Sequence, residues 1–295
     1  MKWVGGKTQL LDEIFSAFPP RKFSAGNEIP MTYVEPFAGG GAVLFRLLRE
    51  REDVARAVVC DVNPALMAAY ICVRDETEKL IAELAGIERE FFSLPSSGDA
   101  RREFFLARRN EFNALIRERR LGGIRVPALL IFLNRTCFNG LFRVNARGEF
   151  NVPFGKYKNP KICDAETLRA DSELLSRAEI LCGDFEETLR YAGENTLYYL
   201  DPPYKPLSET SNFNAYAKGG FDDAAQIRLR DFCRKLDARG AKWVLSNSDA
   251  RSAAGTSFFE SLYAGFRVRR VLASRMVNAD PAKRGKLAEV LISNF

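Results

Sequence analysis

The chain is predicted to fold as an α/β protein whose sheet is interrupted by a basic insert, and three observations carry that prediction. First, Thr32-Tyr-Val-Glu-Pro-Phe37 reads as a strand that runs into Ala38-Gly39-Gly40-Gly41 and then into the helix-like Ala42-Val-Leu-Phe-Arg-Leu-Leu48. Strand, glycine turn and helix form the nucleotide-cradling unit of Rossmann-like folds, because glycine lets the backbone approach a ligand closely. Second, the apolar run Thr196-Leu-Tyr-Tyr-Leu200 has the length of a buried strand and ends at Asp201-Pro202-Pro203-Tyr204. Third, residues 101–161 hold 14 Lys/Arg against 4 Asp/Glu, although the whole chain carries only +6. A basic segment in a mildly acidic body is the footprint of a phosphate-binding surface.

Each element can be justified in turn. After the glycine turn, Ala57-Val-Val-Cys60 reads as a strand ending at Asp61, about 20 residues past the glycines, where an acid is placed to bond two ribose hydroxyls. Asp61-Val-Asn63-Pro64 also serves as the start of a helix through Tyr70. Residues 75–122 show an amphipathic, charged pattern that predicts helices with a break at Pro95-Ser-Ser-Gly98-Asp99. In this stretch the arginines recur at roughly helical intervals, so a solvated helix face explains them as well as a phosphate surface does. Pro127–Leu133 is a further apolar stretch. From Asn134 to Pro160, Asn-Gly and Arg-Gly turns between short alternating runs predict a β-hairpin rich in Arg, Asn, Lys and exposed aromatics. Strands are expected again at Ala178–Cys182, Leu197–Leu200 and Trp243–Leu245. Phe266–Ser274 and Leu287–Ser293 are expected to close the sheet as an antiparallel pair joined by the Asn278–Gly285 loop.

Composition narrows the chemistry. The chain of 295 residues contains no histidine, which excludes Ser-His-Asp and Cys-His catalysis and histidine zinc sites. Its six cysteines are scattered, none in a C-x-x-C pair, so a reduced, cytosolic protein without disulfides or a metal is expected. No apolar run approaches the ~18–20 residues that span a bilayer. The N-terminus has no signal-peptide core. Chemistry without an imidazole must rest on positioning and on a reactive cofactor.

The tetrapeptide says what is positioned. Asp201 and the Pro202 carbonyl accept hydrogen bonds, the prolines bring no N–H to compete, and Tyr204 offers a stacking face. These parts suit a planar ring with an exocyclic amino group, which means a nucleobase.

In this order the motifs resemble the Dam-type DNA adenine-N6 methyltransferases over nearly the whole chain. The matching pieces are Lys2-Trp3-Val-Gly5-Gly6-Lys7, Glu35-Pro36-Phe37-Ala-Gly39-Gly-Gly41, Asp61-Val-Asn63, Arg109-x-x-Phe112-Asn113, the Asn134–Pro160 segment, Asp201–Tyr204 with Pro206-Leu207-Ser208, and Ser246-Asn247. The run Gly148-Glu-Phe-Asn-Val-Pro-Phe-Gly-Lys-Tyr157 beside Asp-Pro-Pro-Tyr is the most specific. The resemblance implies a Rossmann-like methyltransferase sheet of seven strands, mixed, with an antiparallel closing strand and an inserted helical and β-hairpin recognition domain. It divides the chain into a catalytic domain, 1–75 with 162–295, and a target-recognition domain, 76–161. The methyl donor it implies is S-adenosylmethionine, with Trp3, Lys7, Phe37, Ala38, Gly39, Gly41, Asp61, Asp184, Phe185 and Asp201 around it and no metal.

By the same resemblance, Asp201, Pro202 and Tyr204 carry catalysis. Two hydrogen bonds from the adenine N6 amine to Asp201 and the Pro202 carbonyl would turn its lone pair toward the methyl, an electrostatic and orienting role rather than that of a strong base. The target adenine must flip out of the duplex. Phe138 and Asn139 match the residues at the vacated position, where the family often has Tyr-Asn, so the hydroxyl is lost. Leu141, Arg143 and Pro153 match base readers of enzymes that recognise GATC, and Lys2 a contact to the flanking guanine. Arg109, Arg135, Asn145, Lys156, Tyr157 and Ser208 are the phosphate candidates. A solitary enzyme and the modification half of a restriction–modification pair, whose endonuclease would share the site without touching the enzyme, both stay open.

Other classes fit less well. Methylation of cytosine C5 needs a cysteine nucleophile, usually after proline, and none of the six follows one. An RNA or protein-glutamine methyltransferase would share the tetrapeptide but is not expected to carry the Asn134–Pro160 segment. A non-catalytic DNA-binding protein would not need Asp61 and Asp201, and a nicotinamide dehydrogenase leaves Asp-Pro-Pro-Tyr unexplained.

Overall fold

The computed structural model describes residues 7, 9–24, 27–205, 221–250, 257–274 and 286–295. Its first elements are α1 (Leu11–Ala17), the short strands β1 (Phe23–Ser24) and β2 (Asn27–Glu28), β3 (Met31–Glu35), α2 (Ala42–Glu50), β4 (Val54–Asp61) and α3 (Pro64–Asp75). Four helices follow: α4 (Thr77–Ser93), α5 (Ala100–Arg117), α6 (Arg125–Thr136) and α7 (Ala165–Leu175). The last part holds β5 (Ala178–Cys182), β6 (Thr196–Leu200), α8 (Asp223–Ala238), β7 (Lys242–Ser248), α9 (Phe258–Leu262), β8 (Arg267–Ser274) and β9 (Lys286–Ser293). Strands β3 to β9 make one mixed sheet of seven, as expected.

The chain forms two compact units. One includes Gly39–Arg49 and Asp61–Gly183, and so contains all of residues 76–161. Helix α3 starts where the sequence places it: the Asn63 side chain accepts from the Ala65 and Leu66 amides, and Pro64 occupies the first turn, where its missing N–H costs nothing. The Pro95–Asp99 break separates α4 from α5. Pro127–Leu133 lies inside α6, which is buried from Val126 to Leu133 and forms the centre of this unit. Pro127 is tolerated because it sits in the first turn. Phe132 on α6 meets Phe91, Phe104 and Phe105 with ring centroids 5.7–6.4 Å apart. Around this core, Arg125 bonds Glu83 and Glu111, while Arg108 bonds Glu90 and Glu111. Several arginines of the basic segment thus brace helix against helix rather than face solvent as one free stripe.

The other unit includes Lys7–Ala38, Glu50–Cys60 and Asp184–Phe295. Strand β3 pairs in parallel with β4 on one side and β6 on the other, and β6 pairs in parallel with β7. Strand β9 then runs antiparallel to both β7 and β8, so the expected closing pair is present with β9 on the inner side. Every residue of β6 is buried, which explains its unbroken apolar run. Because β3 has its sequential neighbour β4 on one side and β6 on the other, the carboxyl ends of β3 and β6 flank a topological switch point, the usual ligand position in such sheets.

The expected hairpin is realised only as two isolated antiparallel bridges, Cys137 with Phe154 and Val144 with Phe150, around a turn closed from Gly148 N–H to Asn145 O at 2.9 Å. The Asn145 amide donates to Glu149 O at 2.9 Å and the Asn151 amide to Arg143 O at 3.1 Å, so Phe150 turns its own N–H and C=O away from Val144. On that outer side Asn113 of α5 donates to the Phe150 carbonyl at 3.1 Å and accepts from the Phe150 amide at 2.8 Å. A Cβ on Gly155 would lie 2.7 Å from the Cys137 carbonyl oxygen, so only glycine permits the close approach that brings the Gly155 amide to Thr136 O at 2.8 Å.

Candidate active site

The end of β6 is held by bonds from several elements. Asp201 is partly buried and forms an ion pair with the buried Lys7 through Oδ1 at 2.8 Å. Ser246 on β7 donates to the same oxygen at 3.0 Å. Burial pushes the Asp201 carboxyl above its ordinary range, while Lys7 and Ser246 oppose that rise. Lys7 also lies 4.4 Å from the centre of the Tyr204 ring. The Tyr204 hydroxyl donates to Glu289 of β9 at 2.6 Å, and its pKa is raised well above the ordinary phenol value by burial and by the Asp201 and Glu289 charges.

The loop itself is pinned at both flanks. Gln226 of α8 donates to the Pro203 carbonyl at 3.4 Å, and the Lys205 amide donates to Asn247 at 3.1 Å. Ser248 donates to the Lys205 carbonyl at 2.6 Å. Pro202 is buried, whereas Pro203 is exposed. The tetrapeptide is therefore a preformed shelf with a carboxylate and a ring held in place from two neighbouring strands.

In the same unit an aromatic wall stands beyond the end of β3. Phe37 packs on Phe185 at 5.4 Å and on Phe221 at 5.8 Å, and Arg228 lies over the Phe185 ring at 4.5 Å. Ala38 is held by its amide bond to Cys60 O at 3.0 Å. Asp184 caps the following turn through the Glu186 amide and pairs with Arg228.

In the first unit the glycine turn is tied to the acid that follows it. Asp61 accepts from the Gly39 amide at 3.1 Å and from the Asn63 amide at 2.9 Å. Each carboxylate oxygen keeps a second lone pair, so Asp61 retains capacity for the two hydroxyls of a ribose. Burial raises its pKa, and the amide bonds counter that rise. Gly41 adopts φ 71°, and a Cβ there would sit 2.4 Å from the Tyr70 hydroxyl. Only glycine fits that position without strain.

The Asn134–Pro160 segment presents a different surface. Phe138 is 51% exposed, and Asn139, Arg143, Pro153, Lys156 and Tyr157 are exposed as well. Asn139 holds a left-handed backbone, φ 55°, and its amide donates to the Tyr157 hydroxyl at 3.0 Å. Arg143 donates to the Asn151 side chain at 2.8 Å, which fixes its guanidinium at the surface. Asn145 closes the turn through the Arg147 and Glu149 amides, and Leu141 is half-buried. Arg109 is half-buried on α5. Arg135 is half-buried with its Nε enclosed and unpaired, and it lines a mostly apolar cavity of about 60 Å³ among α2, α3, α6 and α7. Lys2, Trp3 and Ser208, and the Asn278–Gly285 loop, lie outside the described residues.

Sequence reasoning missed Ser246 as a partner of Asp201, and missed Tyr199, Glu289, Gln226, Arg228 and Phe221. Tyr199 carried a signal, since residues i and i+2 of a strand share a face, which aligns it with Asp201. The others are joined to the site only through the pairing of β6 with β7 and of β7 with β9, and through packing around α8.

A mixed α/β sheet with Asp-Pro-Pro-Tyr at a strand end, in a chain that also has a glycine turn answered by an acid, defines a Rossmann-like methyltransferase. The model of the D12 class N6 adenine-specific DNA methyltransferases matches residues 3–277, and the chain belongs to that family. It is 45% identical to the Type II methyltransferase M.MjaIII of Methanocaldococcus jannaschii, over 100% of this chain and 98% of that protein. It is 36% identical to the Type II methyltransferase M1.LlaDCHI of Lactococcus lactis subsp. cremoris, over 100% and 94%. The DNA adenine methylase of Haemophilus influenzae shares 33% over 99% and 91%.

Proposed function

We propose that this adenine-specific DNA methyltransferase moves a methyl group from S-adenosylmethionine to N6 of an adenine flipped out of duplex DNA, within GATC. The observation that carries the reading is Asp201. One of its oxygens is held by Lys7 and Ser246, and Tyr204 is fixed beside it by Glu289. A carboxylate so anchored accepts from an amine in a set direction, and the neighbouring Pro202 carbonyl takes the second amine hydrogen. Together they orient the nitrogen lone pair and stabilise positive charge developing on it. Tyr204 supplies the face on which the extruded base stacks.

Bound S-adenosylmethionine supplies an electrophilic methyl on its sulfonium. Asp61 is assigned to its ribose, Phe37, Asp184 and Phe185 to its adenine end, and the Ala38–Gly41 turn, Trp3 and Lys7 to the rest. Residues 76–161 are assigned to target recognition, and 1–75 with 162–295 to catalysis. Phe138 and Asn139 enter the gap left in the base stack, and Leu141, Arg143 and Pro153 face base edges. Arg109, Asn145, Lys156 and Tyr157 face phosphates, as does Arg135 where its guanidinium reaches the surface. Methyl transfer from labelled S-adenosylmethionine to duplexes with and without GATC tests the reading. Label confined to GATC adenine is the expected result; equal labelling of scrambled duplexes overturns the specificity, and label on another atom overturns the reaction.

A further inference from the structure

The anchoring of Asp201 by Ser246 follows from strand register: in the pairing of β6 with β7 Leu200 lies opposite Leu245, so the next residues along are Asp201 and Ser246. Ser246 is wholly buried. Its hydroxyl has one proton, and that proton goes to Asp201 Oδ1 at 3.0 Å. The Tyr199 hydroxyl lies 2.9 Å from Ser246 Oγ and must therefore be the donor in that contact. The result is a directed chain from Tyr199 to Ser246 to Asp201. Both Ser246 and Lys7 engage Oδ1, and Asp201 Oδ2 has no hydrogen-bond partner among the described residues.

We infer that Ser246, with Tyr199 behind it, is a positioning residue for methyl transfer: it fixes Asp201 Oδ1 so that Oδ2 is presented to the amine of the target base. The inference rests on the proposed role of Asp201 as acceptor from that amine. Among the described residues, the groups that face Asp201 are Lys7, Tyr33, Tyr199 and Tyr204, with Glu35 and Glu289 bonded to the hydroxyls of Tyr33 and Tyr204. Lys7 is the cation among them, so Ser246 supplies the neutral donor that helps keep the carboxylate ionised. Removing that donor must move Asp201 protonation to higher pH.

The test is kcat and KM for DNA and for S-adenosylmethionine, measured from acid to neutral pH, with thermal unfolding in parallel. The proteins are wild type, Ser246→Ala and Tyr199→Phe. Loss of a hydrogen bond to a charged group predicts a fall in kcat of about tenfold to a hundredfold for Ser246→Ala. KM values should stay within about twofold, and the acid limb should move to higher pH. Tyr199→Phe should move both in the same direction by less. A Ser246→Ala enzyme with wild-type kcat and limb overturns the inference. So does a loss that tracks the unfolded fraction with the limb unmoved, and Tyr199→Phe decides the matter if Ser246→Ala does not fold. If wild type leaves adenine N6 unlabelled, the proposed function falls first and this inference with it.

Discussion

The Asp201 shelf and the Asn134–Pro160 surface are opposite ways of holding polar groups. At the shelf the carboxylate, the ring and the loop backbone are each held by protein groups: Lys7 and Ser246 on Asp201 Oδ1, Glu289 on Tyr204, and Gln226, Asn247 and Ser248 on the loop backbone. Along Asn134–Pro160 the backbone is satisfied by Asn113 and by the turn at Asn145, while Phe138, Lys156 and Tyr157 remain exposed. A preorganised site does its work by not rearranging. A surface that meets a long polyanion gains from side chains left available. On the proposed function, a mutation at the shelf is expected to be read in the chemical step and one at the surface in the choice of partner.

Breaking the shelf should have the largest effect. Asp201→Ala is expected to abolish turnover while DNA binding survives, measured by product label and by a mobility shift; substantial residual turnover would sink its role. Next comes the packing beneath the surface region. Phe132→Ala, in the aromatic core of α6, should lower stability by ~3–5 kcal/mol in denaturant unfolding. A loss below 1 kcal/mol would mean that the cluster is not a core.

Smaller effects should distinguish readers from anchors on the surface. Arg143→Ala should remove ~1–3 kcal/mol of discrimination at one base pair and leave scrambled DNA bound as before. A uniform loss across sequences moves Arg143 to the phosphate group. Lys156→Ala should weaken all duplexes alike and reduce the slope of log K against log salt by about 1.

The smallest effect is in pH. Burial raises the Asp201 pKa in the folded chain, so the folded state keeps a proton that the unfolded state has already lost. As pH rises from the ordinary carboxylate range through the raised value, this group's contribution to stability therefore falls. Urea unfolding across that window should show the decline in wild type and a flatter curve in Asp201→Asn. An identical slope in the two proteins would show that another group carries it.

Much of this was legible in the chain. Asn63-Pro64 marked a helix start, β6 announced its burial by an unbroken apolar run, and the Gly41 turn could be read as tight. The hairpin was legible only as a reversal of direction. Its turn residues were where they should be, but Asn113 sits 37 positions before Phe150 and holds its outward-facing backbone groups, a contact that no local pattern announces.

By itself the sequence determined the order of the strands along the chain, the residue types at their carboxyl ends, and the absence of an imidazole base, because these are local or compositional properties. Apart from the closing pair of β8 and β9, which strand lies beside which came from the packing of the whole chain. That placement set Ser246 and Lys7 on one oxygen of Asp201 and Glu289 on Tyr204. These partners come from residues 45, 194 and 85 positions away, a separation over which no periodic pattern survives and only packing and hydrogen-bond satisfaction choose the neighbour.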